Sequence, residues 1–336
     1  MDGARQGVLL GVDGGNTKTI ALVARPDGTV VGAGRVTECS DPYAVGLEEA
    51  SRVIGSAADQ ALAHAGSAPV GSAAFSLAGA DWPEDVDDLG GILHARWPEA
   101  LVVNDGIGAL RAAVPDGPGV VVVLGTGAAT GARGTDGRTW HSSFWQEPQG
   151  ARELGVRALQ AVYRAELGIG EPTLLTERVL ERLGEQTVEG VLHRATRRGR
   201  ARWREPAVLA TLVLDAAEER DPAAFAIVHQ QGESLGRTAL AAARKVGIDA
   251  LQFPVALCGG VLRHRGSVLE GALLSALQSG APDAWPVRPP LEPAAGALLL
   301  AFDRAGITVR GEVGERLIAT LPPEALFDTH PGSVVV

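Results

Sequence analysis

Two short turns in this 336-residue chain mix glycine with small polar side chains, and each stands at the end of an apolar strand. The first is Asp13-Gly14-Gly15-Asn16-Thr17-Lys18 and the second is Gly125-Thr126-Gly127. Glycine lets backbone approach a ligand closely, and successive N–H groups in such turns form concave nests for oxygen anions. Two nests facing each other across a cleft would hold a polyphosphate between them. A third candidate is Asp105, which follows the apolar stretch 101–104 and precedes Gly106. A carboxylate there would take the proton of a substrate hydroxyl, or cap the helix that follows, or both.

The elements that must position these groups follow from periodicity. Residues 8–12 read as a buried strand and 19–24 as its partner, with Asp27-Gly28 turning into a third strand at 29–32. The first turn therefore joins strand to strand, whereas a Walker A loop or a Rossmann turn runs into a helix. A helix over 43–65, a strand over 70–77, a helix over 84–95, a strand over 101–104 and a helix from 106 to 113 come next. Pro115-Asp116-Gly117-Pro118 breaks the pattern and marks a domain boundary. Residues 119–140 then repeat the opening: strand, Gly-Thr-Gly turn, strand, Asp-Gly turn, strand. Such an internal duplication says more than either half alone. Helices over 150–167, 173–184, 205–220 and 222–246 precede a strand at 253–258, which ends in Gly259-Gly260. Helices over 267–278 and 292–303 complete the readable part.

Composition bounds the setting. A hydrophobic share of 46% suffices for a sizeable core, and a net charge of −10 argues against nucleic acid or a membrane surface as partner. The two cysteines, Cys39 and Cys258, form no metal or redox motif. Residues 1–7 do not resemble a signal peptide and no apolar run reaches membrane-spanning length, so a cytoplasmic globular protein is expected.

Taken in order, Asp13-Gly14-Gly15-Asn16-Thr17-Lys18-Thr19, Asn104-Asp105, Gly125-Thr126-Gly127 and Cys258-Gly259-Gly260-Val261 resemble the actin-like ATPase superfamily of sugar kinases, acetate kinases and heat-shock cognates. More closely, the chain resembles the N-acetylglucosamine kinase branch, grouped with the BadF/BadG/BcrA/BcrD ATPases, over residues 7–304. The resemblance implies an α/β fold of two actin-like (ribonuclease H-like) domains with a nucleotide cleft between them. They would span 1–117 and 118–336, with a helical insertion over about 150–250 and the helix near 294–304 packing back at the hinge. It also implies ATP and Mg²⁺ as cofactors, a sugar or aminosugar acceptor, and a homodimer.

Phosphoryl transfer asks for positioning and charge neutralisation more than covalent help. On this reading Gly14, Gly15, Asn16, Thr17 and Lys18 line the phosphates from one side and Gly125, Thr126 and Gly127 from the other. Asp13 would hold Mg²⁺, directly or through water. Gly259 and Gly260 would let adenosine lie against backbone, a role the resemblance extends to Gly296. The general base of the family falls on Asp105.

The acceptor pocket departs from the family pattern. Where the family has a Ser-Asn pair after the Gly-Thr-Gly turn, this chain has Ala128 and Ala129. The family's Asn after the first hairpin becomes Asp41. Alignment from Leu154-Gly155 puts Glu147 at the family's substrate-binding Asp, and a one-residue shift would put Pro148 there. An unmatched buried polar contact discriminates strongly between substrates, so these changes imply an altered acceptor, with Asp41 and Glu147 suiting an amine. Trp145, with Trp140 and Phe144, lines the acceptor pocket or packs in the core. The basic run 194–205 reads as a solvated helix face or loop rather than a nucleic-acid patch. Besides the kinase, an ATPase that activates a partner enzyme and a nucleotide-binding regulator remain open.

Overall fold

The computed structural model describes residues 7–197 and 205–327. Its first part runs β1 (Val8–Gly14), β2 (Thr19–Ala24), β3 (Val30–Val36), α1 (Pro42–Val45), α2 (Leu47–His64), β4 (Val70–Leu77), α3 (Pro83–Leu93), β5 (Leu101–Asn104) and α4 (Asp105–Ala113). The second runs β6 (Gly119–Leu124), β7 (Ala128–Arg133), β8 (Thr139–His141), α5 (Ala151–Glu166), α6 (Leu175–Leu183), α7 (Val188–Thr196), α8 (Ala210–Glu218), α9 (Pro222–Lys245), β9 (Phe253–Cys258), α10 (Val268–Gln278) and β10 (Ala284–Val287). Two further helices, α11 (Pro293–Arg304) and α12 (Gly311–Thr320), close the chain.

The strands form two separate five-stranded sheets, ordered β3-β2-β1-β4-β5 and β8-β7-β6-β9-β10. In both, the first three strands are an antiparallel meander and the last two are added in parallel. Order and direction therefore match strand for strand, which is the architectural form of the duplication seen in the sequence. The α/β architecture is thus the expected one.

Each sheet buries both faces. One side of the first sheet packs Val53, Ile54 and Leu62 of α2 against Val12, Phe75 and Val102. The other side takes Leu298, Leu299 and Phe302 of α11, with Leu317 and Phe327 beyond. The helices of the second half gather on its own sheet around Val120, Val122 and Leu257. Helix α4 bridges the halves: Leu110 and Ala113 pack on Val121 and Ala256 of the second sheet. It also crosses α11, where a Cβ on Gly296 would stand 1.9 Å from Gly108 O. Only glycine permits that approach.

Several expectations change. The helix over 43–65 is interrupted at Gly46, whose φ of 84° starts a new helix. Helices α7 and α12 and strand β10 are additional to the elements expected from the sequence. The segment after 305 was assigned to the second domain, yet its apolar residues Leu317 and Phe327 cover the first sheet. Of the basic run, residues 194–197 close α7, and 198–204 lie outside the described residues. No described helix is long and apolar enough to cross a membrane.

Candidate active site

The first turn is held from behind. Gly15 N–H donates to Lys18 O at 3.1 Å, while Ser40 and Ala78 N–H groups donate to Gly15 O (3.1 Å) and Gly14 O (2.8 Å). Behind them Thr19 Oγ1 donates to Ser40 Oγ at 2.8 Å. The second turn is closed by Gly125 N–H to Gly127 O at 2.9 Å. The start of α5 clasps it, with Ala151 and Arg152 N–H groups donating to Gly125 O (2.9 Å) and Thr126 O (3.2 Å). Gly150 makes this possible: its φ is +106°, and a Cβ there would lie 2.6 Å from Thr126 O.

The two turns meet. Thr17 Oγ1 and Thr126 Oγ1 are 2.8 Å apart. Around them, Gly125, Gly127 and Gly260 have open space where a Cβ would point. Gly259 adopts a φ of +92° and lies against Leu124 O, so the β9 turn sits beside the end of β6. Lys18 is half-buried, and burial lowers its pKa against the opposing pull of Asp13. Hydroxyls, an ammonium group and open glycine backbone are donors suited to phosphate oxygens. Asn16 is exposed on the same turn and accepts a thiol contact from Cys39 at 3.8 Å. Gly296 lies at the α4–α11 crossing, where a Cβ would meet Gly108 O.

Carboxylates line the strand ends beside the turns. Burial pushes Asp13 up to about 7, with the charges of Asp105 and Glu292 adding and Lys18 opposing. Burial likewise pushes Asp105 up to about 7, helped by Asp81 and Asp41 and opposed by the Gly106 N–H. Asp105 is the first residue of α4, and the cap is its neighbour: Asn104 Oδ1 accepts from Gly106 N–H at 2.9 Å. The alternative of Asp105 as N-cap is therefore corrected, because the strand ends with Asn104 already in the capping conformation. Among the described residues no group of three or more His, Cys, Asp or Glu could hold a metal alone. A Mg²⁺ at Asp13 would thus complete its shell with phosphate oxygens and water, as this ion prefers.

The acceptor side differs from expectation. Asp41 caps α1 by accepting from Tyr43 N–H at 2.9 Å, and burial raises its pKa, with Asp81 and Asp85 adding to the rise. Glu147 does not join it; this side chain is exposed and accepts from Ser234 of α9 at 3.3 Å. Trp145 is exposed too, with Lys245 Nζ 6.0 Å from its ring centre. Both belong to a surface shared with α9. Trp140 packs on the core of the second half. Phe144 instead reaches the first half, edge-on to Tyr43 at 5.0 Å and stacked with Trp82 at 6.4 Å. Ala128 and Ala129 open β7, directly after the second turn, and offer no polar side-chain atom.

The residue that sequence reasoning passed over is Asp81. Its Oδ1 accepts from Asn104 Nδ2 at 2.7 Å and from Ser143 Oγ at 2.9 Å. Ser143 Oγ is 2.5 Å from His141 Nδ1, and burial lowers the pKa of that imidazole. The signal was present: Asp13, Asp81 and Asp105 all stand where the neighbouring strands β1, β4 and β5 end. Open α/β sheets place their ligands at those carboxyl ends.

Residues 10–301 match the model of the BadF/BadG/BcrA/BcrD ATPase family. An N-acetyl-D-glucosamine kinase from Dictyostelium discoideum is 24% identical over 88% of this chain and 98% of its own length. A candidate N-acetylglucosamine kinase from Chromobacterium violaceum has a solved structure that superposes with a TM-score of 0.66 at 29% identity, covering 88% of this chain and 99% of that one. A glucokinase of the ROK family from Streptomyces griseus, solved with glucose and AMPPNP, shares the fold at a TM-score of 0.56 and 17% identity, covering 88% and 100%.

Proposed function

The chain belongs to the BadF/BadG/BcrA/BcrD ATPase family, and from that premise we propose that it is an ATP-dependent kinase for a hydroxyl of a sugar or aminosugar related to N-acetylglucosamine. The observation that carries this reading is the meeting of Thr17 and Thr126 beside the strand-end carboxylates Asp13 and Asp105. This supports a donor cradle for phosphate with a buried carboxylate as the base.

Each group then has a task. Thr17, Thr126 and Lys18, with those N–H groups of the two turns that do not close the turns as Gly15 and Gly125 do, hold phosphate oxygens in place, so that charge developing on them meets fixed donors. Asp13 would hold Mg²⁺ through its carboxylate, and the turn at Gly259-Gly260, open at Gly260, would take the nucleoside. ATP supplies the phosphoryl group. Asp105, fixed at the start of α4, accepts the proton of the acceptor hydroxyl as the new O–P bond forms. A base with a pKa near the working pH is the efficient choice.

In place of a division at 117/118 with all later residues in the second domain, packing supports 7–117 with 293–327 as one half and 118–292 as the other. On the acceptor side, Asp41 and the paired alanines Ala128 and Ala129 support an acceptor whose contacts differ from those of N-acetylglucosamine itself. Assembly as a homodimer accompanies this reading. The test is ADP release across a panel of sugars, aminosugars and nucleosides. The kinase reading requires release that depends on the acceptor. Release that ignores it favours an ATPase serving a partner protein.

A further inference from the structure

Asp81 touches both halves of the molecule with one atom. Its Oδ1 accepts from Asn104 Nδ2 at 2.7 Å, and Asn104 Oδ1 in turn accepts from Gly106 N–H at 2.9 Å. The Asn104 side chain is thus clamped at both ends, and Asp105 lies between the two backbone units so fixed. The same Oδ1 accepts from Ser143 Oγ at 2.9 Å, and Ser143 follows β8 of the other sheet. Having donated its proton to Asp81, Ser143 Oγ is left to accept from His141 Nδ1 at 2.5 Å. The next residue, Phe144, crosses the same gap to Tyr43 and Trp82. Asn104 is 6% exposed, so few waters can replace the Asp81 contact if it is lost.

Building on the kinase reading above, we propose that Asp81 is the positioning residue of the Asp105 base: through Asn104 it fixes the start of α4, and through Ser143 it ties that start to the segment that closes the acceptor side. Orientation of the base and closure of the cleft are then one event. A carboxylate suits this task because one oxygen can accept two hydrogen bonds at once, and bonds to a charged acceptor are the stronger kind. Misplacing a reacting group by about 1 Å costs on the order of a hundredfold in rate, so a mount of this kind matters although it touches no substrate.

The test uses the full chain and the variants Asp81→Ala, Asp81→Asn and Ser143→Ala. Amide hydrogen exchange at Gly106 and Ile107 is read without ligand. Turnover is read with Mg²⁺·ATP and N-acetylglucosamine or glucosamine. Asp81→Ala is expected to speed exchange there and to lower kcat about ten- to a hundredfold, with KM for ATP within about twofold of wild type. Asp81→Asn keeps an accepting oxygen and is expected to restore both readings most of the way. Ser143→Ala leaves Asn104 held and is expected to raise KM for the acceptor alone. An Asp81→Ala protein with wild-type exchange and kcat would overturn the inference. So would an Asp81→Asn protein as impaired as Asp81→Ala, or a Ser143→Ala protein with unchanged acceptor KM. Wild-type protein that transfers phosphate to neither sugar counts against the acceptor assignment instead, while the exchange comparison still decides the role of Asp81.

Discussion

Thr17 Oγ1 lies 2.8 Å from Thr126 Oγ1, although 109 positions separate them in the chain. Each hydroxyl belongs to the first turn of one copy of the duplicated meander, so the contact joins corresponding points of the two halves. Hydroxyls in such a pair satisfy one another when nothing else is present, and both can turn to a phosphate oxygen.

Asp105→Asn separates catalysis from capping. Because Asn104 is the cap, the variant keeps the start of α4 intact, and its melting temperature is expected to stay close to wild type. Turnover is expected to fall by about a hundred- to ten-thousandfold, the usual contribution of a positioned base. Steady-state kinetics beside a thermal melt check both halves of this statement.

Asn104→Ala should do the reverse in part. It removes the acceptor for Gly106 N–H, and lost caps cost about 0.5–2 kcal/mol. Denaturant unfolding is expected to show that loss, together with a lower kcat because the base loses its mount.

Acidity gives a signed prediction. Asp13 and Asp105 are each raised from 3.8 to about 7 by burial first. The folded chain therefore binds more protons than the unfolded chain between those limits, and its stability falls as pH rises from about 4 to about 7. Melting temperatures of the ligand-free protein across this range are expected to decline, and Asp13→Asn is expected to remove part of the decline. The rate runs the other way, with kcat/KM rising through pH about 7 as Asp105 loses its proton.

Gly296→Ala distinguishes packing from nucleotide contact. A Cβ there would meet Gly108 O at 1.9 Å, so the two helices must separate. Overpacking of this kind costs about 1–3 kcal/mol. The folded fraction is expected to keep wild-type affinity for ATP, as measured by calorimetry.

The turns and strand ends that build this candidate site are legible in the sequence. The strand-to-strand turns announced themselves because glycine and small polar residues interrupt apolar runs twice, in the same order. Asp105 stood out by ending the strand 101–104. What stayed hidden depends on contacts between distant segments. The packing role of Gly296 shows only when α4 is seen against it. Glu147 is separated from Asp41 by the way its loop turns toward Ser234, which no local pattern encodes. Asp81 was within reach of the strand-end rule but carries no glycine turn of the phosphate-binding kind. Helix α7 runs into the basic stretch that begins at Arg194, and α12 follows the last motif-bearing segment, so neither was marked by a neighbouring signal.

The most direct measurement is the fate of the γ-phosphoryl group. Wild-type protein is incubated with Mg²⁺·ATP and each member of a sugar and aminosugar panel, and products are followed by phosphorus NMR. The account predicts a sugar phosphate formed in equal amount to ADP for at least one acceptor, and its loss in Asp105→Asn. ADP accompanied only by inorganic phosphate, with every acceptor unchanged, would contradict it.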